Sequence, residues 1–243
     1  MTHRAETFDD DQYASVYPDG IERHYWHRAR TSVLARALDA EGLRGAPLLE
    51  IGCGRGHVTG ALRDAGFDCT GVELAPAVPP ARLSPFVRTG LPFQDLPAAE
   101  RERVRGALLL DVLEHVDAPV AFLAAIRSSL PRVERLILTV PGRAEVWSEW
   151  DELCAHRCRY DVPTLTGELR AAAWTVRRTR YFFHGLYPIA RVFTALGLPR
   201  STRVVAPARP ALHDAVARWF VAESRLLPGF VPGTSLLAIA APG

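Results

Sequence analysis

Two stretches of this sequence carry side chains that could move a proton or hold an ion. The first is Asp111-Val112-Leu113-Glu114-His115, two acids and an imidazole in close succession. Its plainer reading is that the acids cap a following helix and His115 packs. Hard oxygen ligands beside an imidazole are also chemically reasonable for a divalent cation, but no metal is assigned on this basis. The second stretch runs from Trp147 to Tyr160 and holds Asp151, His156 and Arg159. A histidine is the side chain best suited to accept a hydroxyl proton near neutral pH. Asp151 is close enough in sequence to orient the His156 ring if the segment folds back, and Arg159 could hold an anionic group. The competing reading is an amphipathic connection with solvated arginines.

A different chemistry is written in Leu48-Leu49-Glu50-Ile51-Gly52-Cys53-Gly54-Arg55-Gly56-His57. A short apolar run ends in an acid and then in alternate glycines. That pattern predicts a buried parallel strand opening into a loop with no side chains to obstruct a ligand. The segment from Val58 to Ala65 can form a helix whose first amides face that loop. A second acid, Glu73, closes the next apolar run, where nucleotide-binding β-α-β units place a sugar-binding acid. Dinucleotide sites favour G-x-G-x-x-G; here His57 stands where the third glycine would be, and the extra glycine comes earlier, at Gly56.

The elements that must position these groups read in order. Residues 1 to 20 are polar and aromatic, with Tyr13, Tyr17 and Pro18, and are expected to drape over the surface. Apolar spacing predicts a helix from Ile21 to Ala40, with Arg30 on or beside its buried stripe. After the loop come a helix over 56–66 and a strand over 69–73. The proline-rich stretch from Ala75 to Pro85 cannot be helical throughout. Strands follow at 86–89, 107–110 and 135–140, with a helix over 119–130 between the last two. A helix over 163–173, a strand over 174–183 and a last strand over 234–240 complete the pattern. About fifty residues, His184 to Gly233, separate those last strands and hold two helical patterns, Leu186 to Leu196 and Pro210 to Leu227. An insertion that long serves as a lid, a dimerisation element or a membrane-contacting surface.

The E-x-G-x-G-x-G run resembles motif I of the class I S-adenosylmethionine-dependent methyltransferases, and the element order is similar to theirs. The resemblance implies an α/β fold: a Rossmann-like seven-stranded sheet of order 3-2-1-4-5-7-6 whose last strand is antiparallel. The expected organisation is an N-terminal helical cover (1–45), a cofactor-binding core (46–183 and 234–243) and a helical insertion (184–233). It implies S-adenosyl-L-methionine as cofactor, bound by Glu50, Gly52, Cys53, Gly54, Gly56, Glu73, Leu74, Asp111 and Val112. Asp95 is the acid available for the adenine amine, with Leu91 and Phe93 as alternative ring walls. The N-terminal helix resembles that of ubiquinone-pathway O-methyltransferases, in which an arginine holds the methionine carboxylate; Arg30 is its counterpart. The D-x-x-x-x-H-x-x-R-Y pattern resembles a neighbouring branch of bacterial small-molecule methyltransferases. Many of those have glycine before the histidine and arginine two residues after it, where this chain has Ala155 and Cys158. Asp111-x-x-Glu114-His115 also resembles the E-x-x-E-H magnesium motif of small-RNA 2′-O-methyltransferases. The expected reaction is transfer of a methyl group to a small molecule, most readily at oxygen. His156 and Asp151 are the catalytic candidates, and Tyr25, Trp147, Arg159, Tyr160 and His184 the acceptor-binding ones.

Composition bounds the rest. At 243 residues, 48% hydrophobic and 23% charged, the chain suits one soluble domain with elaborations. Its net charge of +2 gives no reason to expect a nucleic acid partner. All 29 basic residues are arginine. Cys53, Cys69, Cys154 and Cys158 form neither a zinc pattern nor a secreted disulfide pattern. With no signal core and no apolar run of membrane-spanning length, a cytoplasmic protein is expected, and a homodimer is compatible with it.

Overall fold

A computed structural model describes residues 20–200, 202 and 207–243. The expectation for residues 1 to 20 falls almost wholly outside the described residues. Seven strands form one sheet: β1 (Leu48–Ile51), β2 (Cys69–Glu73), β3 (Val87–Thr89), β4 (Gly106–Leu110), β5 (Arg135–Pro141), β6 (Trp174–Phe182) and β7 (Ser235–Pro242). Their order is β3-β2-β1-β4-β5-β7-β6. β7 is antiparallel to both neighbours, and the other pairs are parallel. The class I methyltransferase sheet expected from the sequence is the one observed.

Side-chain alternation along the strands assigns the helices to two layers. Leu49, Ile51, Leu109, Leu136 and Leu138 face α4 (Pro119–Ser129) and α6 (Val162–Ala171). Leu48, Leu108, Leu110, Ile137 and Ile239 face α1 (Tyr25–Ala40), α2 (His57–Asp64) and α8 (Pro210–Leu226). Both β1 and β4 are buried on both faces, as central parallel strands are; β4 reads as a continuous apolar run, and β1 is apolar but for Glu50. Two short helices, α3 (Ala98–Arg103) and α5 (Glu149–Leu153), and one longer one, α7 (Leu186–Ala195), complete the helical set.

Several expected boundaries move. The helix expected from Ile21 begins at Tyr25, because His24 is extended and its ring accepts the Trp26 amide. A single turn over Ile21–Arg23 precedes it. α3 is not legible in the sequence because none of its residues is buried, so no apolar period marks it. Of the Trp147–Tyr160 stretch only α5 is helical, started by a capping box between Ser148 and Asp151.

The register decides where the chemistry gathers. Ile51 pairs with Val72 on one side and Leu109 on the other, and Leu110 pairs with Thr139. The glycine loop, Glu73, Asp111 and the chain beyond β5 therefore leave the sheet at its carboxyl edge, where open α/β sheets bind ligands.

Candidate functional site

The glycine loop has backbone that only glycine adopts without strain. Gly52 has φ +74°, and a Cβ there would lie 2.7 Å from Val112 Cγ2. Gly56, with φ +81°, caps α2, and a Cβ there would meet Val87 at 2.6 Å. Glu73 steadies this loop from the next strand. One of its oxygens accepts the Gly54 amide at 2.7 Å, the other the Ala75 amide at 2.9 Å. Each oxygen keeps a lone pair, so the carboxylate could still accept two hydroxyls. Leu74 beside it is exposed, and Asp95 is exposed in a turn after β3. Phe93 is not a ring wall: it is buried in the core with its ring edge against Phe122.

Replacing Glu73 with Ala would leave bound hydroxyls without an acceptor, and S-adenosylmethionine binding is expected to weaken by about 1–3 kcal/mol. Calorimetry on the variant reads this directly. Unchanged affinity would remove Glu73 from the cofactor site.

Glu50 lies under the loop. It is buried and accepts the Thr59 hydroxyl of α2. Burial pushes its carboxyl up to about 7, against the Thr59 hydrogen bond and the Arg30 charge. Cys53 is likewise buried and packs with Leu83 and Val87. Arg30 forms an ion pair with Asp111, and its guanidinium stands 4.5 Å from the Trp26 ring centre. Its side chain is only 6% exposed against 21% for Asp111, so the pair is partly buried. Asp111 adopts φ +58° and accepts the Thr139 hydroxyl at 3.1 Å.

The two proton-moving stretches of the sequence come together here. His156 Nδ1 lies 2.8 Å from Asp151 Oδ1, and its Nε2 points at Glu114 Oε1, 3.9 Å away. The His115 and His156 ring centres are 5.0 Å apart. Arg159 Nε donates to the same Asp151 oxygen at 2.7 Å, and the Ser148 amide donates to the other at 2.9 Å. Burial alone would raise the Asp151 carboxyl, but the His156 hydrogen bond and the Arg159 charge hold it below its usual range. Burial, then His156, lowers His115 to about 4, so its ring is neutral at neutral pH. Glu114 is fully buried, and neither carboxylate oxygen has a hydrogen-bond partner. Burial, then the Asp111 charge, holds its carboxyl well above the usual range. One ligand atom each from Glu114, His115 and His156 lie within 4.8 Å of one another. A buried acid with no hydrogen-bond partner on its carboxylate, beside two imidazoles of which one is oriented by Asp151, fits the donor set of a divalent cation.

Ala155, the position where many members of the branch that the pattern resembles have glycine, adopts φ +53°. That left-handed turn swings His156 back so that its amide reaches Asp151 O at 2.8 Å. Ala155→Gly is expected to stabilise the fold by roughly 1 kcal/mol, since alanine is strained there. Chemical denaturation measures it. A loss of stability would show that the turn is not strained.

Four acceptor-binding candidates are not placed as expected. Tyr160 is core: it is 2% exposed, and its amide bonds Pro141 O as the chain bridges back to Gly142. Arg159 is committed to Asp151 and to Gly142 O at 3.1 Å, which leaves little of its charge for a substrate. Tyr25 stacks on Phe220 of α8, 5.6 Å between ring centres. His184 is buried at the root of the insertion, its amide held by Glu223 at 2.6 Å and its Nδ1 at 3.1 Å from Pro232 O. Trp147 is half-buried and stands just before α5. Sequence reasoning missed Arg143, Glu145 and Tyr187. The Tyr187 hydroxyl of α7 donates to Glu145 at 2.8 Å, and Arg143 pairs with the same carboxylate. Only the fold brings α7 onto this turn, so no local signal could have marked it.

Comparison with known proteins bears on the family and the fold. A curated ubiquinone biosynthesis O-methyltransferase of Cereibacter sphaeroides is 38% identical over 105 residues, 40% of this chain and 40% of that protein. The chain thus aligns with under half the length of that relative. Burkholderia thailandensis 1,6-didemethyltoxoflavin-N1-methyltransferase shares the fold with TM-score 0.53 and 22% identity, over 98% of this chain and 92% of that one. Magnesium protoporphyrin IX methyltransferase of Synechocystis PCC 6803 does so with TM-score 0.52 and 16% identity, over 96% and 93%. The methyltransferase domain family model matches residues 23–179, and this chain belongs to that family, as a class I S-adenosylmethionine-dependent methyltransferase.

Proposed function

We propose that this protein methylates an oxygen of a small-molecule acceptor, with His156 taking the hydroxyl proton. The observation that carries this reading is the 2.8 Å contact between His156 Nδ1 and Asp151. It orients the ring and leaves Nε2 as the basic nitrogen on the carboxyl side of the sheet. Methyl transfer from a sulfonium is an in-line displacement, so alignment and exclusion of water contribute much of the rate. In this reading the Gly52–Gly56 loop and Glu73 hold the nucleoside of S-adenosylmethionine. Leu74, Asp95 and Val112 border its base, and the Arg30–Asp111 pair meets its amino-acid end. The insertion (184–233) covers the acceptor side of a core made of 46–183 and 234–243, with the N-terminal helix as a second cover. The Glu145–Tyr187 bond supports this, because it ties α7 to the turn that leads into Trp147. The partial likeness to an O-methyltransferase favours oxygen over nitrogen or carbon.

A second reading is favoured by the partnerless Glu114 carboxylate. Here Glu114, His115 and His156 hold a divalent cation, which would lower the pKa of an acceptor hydroxyl. His156 then serves as a ligand rather than a base, with Asp151 still fixing its ring.

The test is transfer of labelled methyl from S-adenosylmethionine to a panel of phenols, catechols, amines and carbon acids, with the product bond read by mass spectrometry. An O-methyl product formed equally well after chelation supports the first reading. An O-methyl product lost on chelation and restored by magnesium supports the second. Products methylated only at nitrogen or carbon would overturn both.

A further inference from the structure

At one corner of the molecule, remote in sequence from the candidate site, α8 ends in Leu226-Leu227-Pro228-Gly229-Phe230. Leu226 and Phe230 are each 81% exposed, which is more than any other large apolar side chain among the described residues. Mobility does not explain that exposure, because the turn is tied to the edge strand β6. The Tyr181 amide donates to Gly229 O at 2.8 Å, and Arg180 Nη2 bonds the carbonyls of Ser224 and Leu227. A Cβ on Gly229 would lie 2.7 Å from Arg180 Cβ, so the turn lies flat on the strand. The two apolar side chains are thus held outward at a cost in solvation.

Among the described residues around this turn, the charged side chains without an ion-pair partner are arginines. Arg225 precedes Leu226, Arg178 and Arg180 stand two residues apart on one face of β6, and Arg180 reaches the Ser224 carbonyl of α8. The charge of Arg225 acts on Arg36 of α1, and those of Arg36 and Arg178 on Arg180. Among the described residues no carboxylate pairs with any of the four. The nearby Glu41 is taken by Arg135 at 2.7 Å and Arg177 at 3.6 Å, and Glu223 is buried on the His184 and Gly185 amides. Burial, then the neighbouring guanidiniums, lowers Arg36 and Arg180. The cluster lacks an anion.

We infer that the 226–230 turn and Arg36, Arg178 and Arg225 dock this protein on an anionic membrane surface, with Arg180 holding the turn from beneath. Leu226 and Phe230 enter the headgroup–acyl boundary while the guanidiniums take lipid phosphates. The pairing of outward apolar side chains with unpaired cations selects this occupant. A second copy would meet the patch with itself across a two-fold axis, opposing these arginines to their own copies. A nucleic acid would satisfy the arginines but leave the Leu226 side chain in water.

The test uses the full chain and sedimenting vesicles, one set of phosphatidylcholine alone and one with about one-third phosphatidylglycerol. Binding is expected to the anionic vesicles only, and to weaken with salt. Arg36→Gln and Arg225→Gln should each weaken it about fivefold. The Leu226→Ser/Phe230→Ser double variant should weaken it at least about tenfold while its melting temperature and light-scattering mass stay those of the parent. Four outcomes would overturn the proposal. These are equal binding to both vesicle sets, no binding to either, variants that bind like the parent, and a parent dimer that the double variant splits. A fifth also would: full competition by free polyglutamate, which would mark an acidic protein partner.

Discussion

Replacing His156 with Ala lowers kcat by roughly 10²–10⁴-fold and leaves S-adenosylmethionine affinity within about twofold of the parent. The size follows from what the ring does in the proposed reaction. Asp151 accepts from Nδ1 at 2.8 Å, which places the proton on Nδ1 and the lone pair on Nε2. With the ring gone, an acceptor hydroxyl would have to lose its proton to water during the displacement. The cofactor loop is built on β1 and β2, and the side-chain partners of His156 among the described residues are Asp151, Glu114 and His115, so binding of the methyl donor should survive. Stopped-time assays at saturating cofactor, with calorimetry on the same preparation, separate the two effects. A variant with the parent's rate across the pH range would make His156 structural. A variant with lost rate that magnesium no longer stimulates would make it a cation ligand.

Replacing Glu50 with Gln removes a dependence of stability on pH that the parent should show. The Glu50 carboxyl stands near 7 in the fold, against 4.5 as its ordinary value. Below pH 4.5 the group is protonated in both folded and unfolded chains, and its contribution is fully present. Between the two values the unfolded chain gives up the proton and the folded chain keeps it. Stability then falls by about 1.4 kcal/mol per pH unit. Above the folded value the loss levels off at about 3 kcal/mol for the whole range. A glutamine keeps an acceptor for Thr59 and has no proton to lose. Denaturant titrations of the parent and Glu50→Gln at pH 4.5, 6 and 8 should therefore diverge as pH rises, with the variant gaining by about 3 kcal/mol at the top. Any fixed cost of the new amide cancels in that difference. Parallel curves would show that Glu50 ionises normally and that its burial is offset by groups such as Arg30.

What the sequence determined alone is whatever rests on local pattern. Apolar runs of four or five residues ending in Glu50 and Glu73, with glycines after the first, specify strands buried on both faces and a loop open to a ligand. The glycines at 52 and 56 are needed for a positive φ and for close approach, which are properties of the backbone itself. The alternation of strands and helices specifies a parallel sheet covered on both faces; its strand order was implied by the resemblance to class I methyltransferases, and the observed sheet has that order. Element ends were less legible. His24 and the capping box at Ser148 stop or start helices through single hydrogen bonds that the apolar period does not register.

The tertiary structure decided which polar groups meet. Asp111-x-x-Glu114-His115 and the Asp151–His156 stretch stand apart in the sequence as rival sites. The left-handed turn at Ala155 and the bridge from Gly142 to Tyr160 fold the second onto the first and make them one cluster. The same fold commits Arg159 to Asp151 and Arg30 to Asp111, because a buried guanidinium must find a carboxylate and a linear sequence does not say which is nearest. Charge shows the difference most plainly. A net +2 spread along the chain gives no reason to expect a polyanionic partner, yet α1, β6 and α8 bring together four arginines that, among the described residues, no carboxylate pairs. Net charge is a sum over the chain, whereas an electrostatic surface depends on where packing puts each term of that sum.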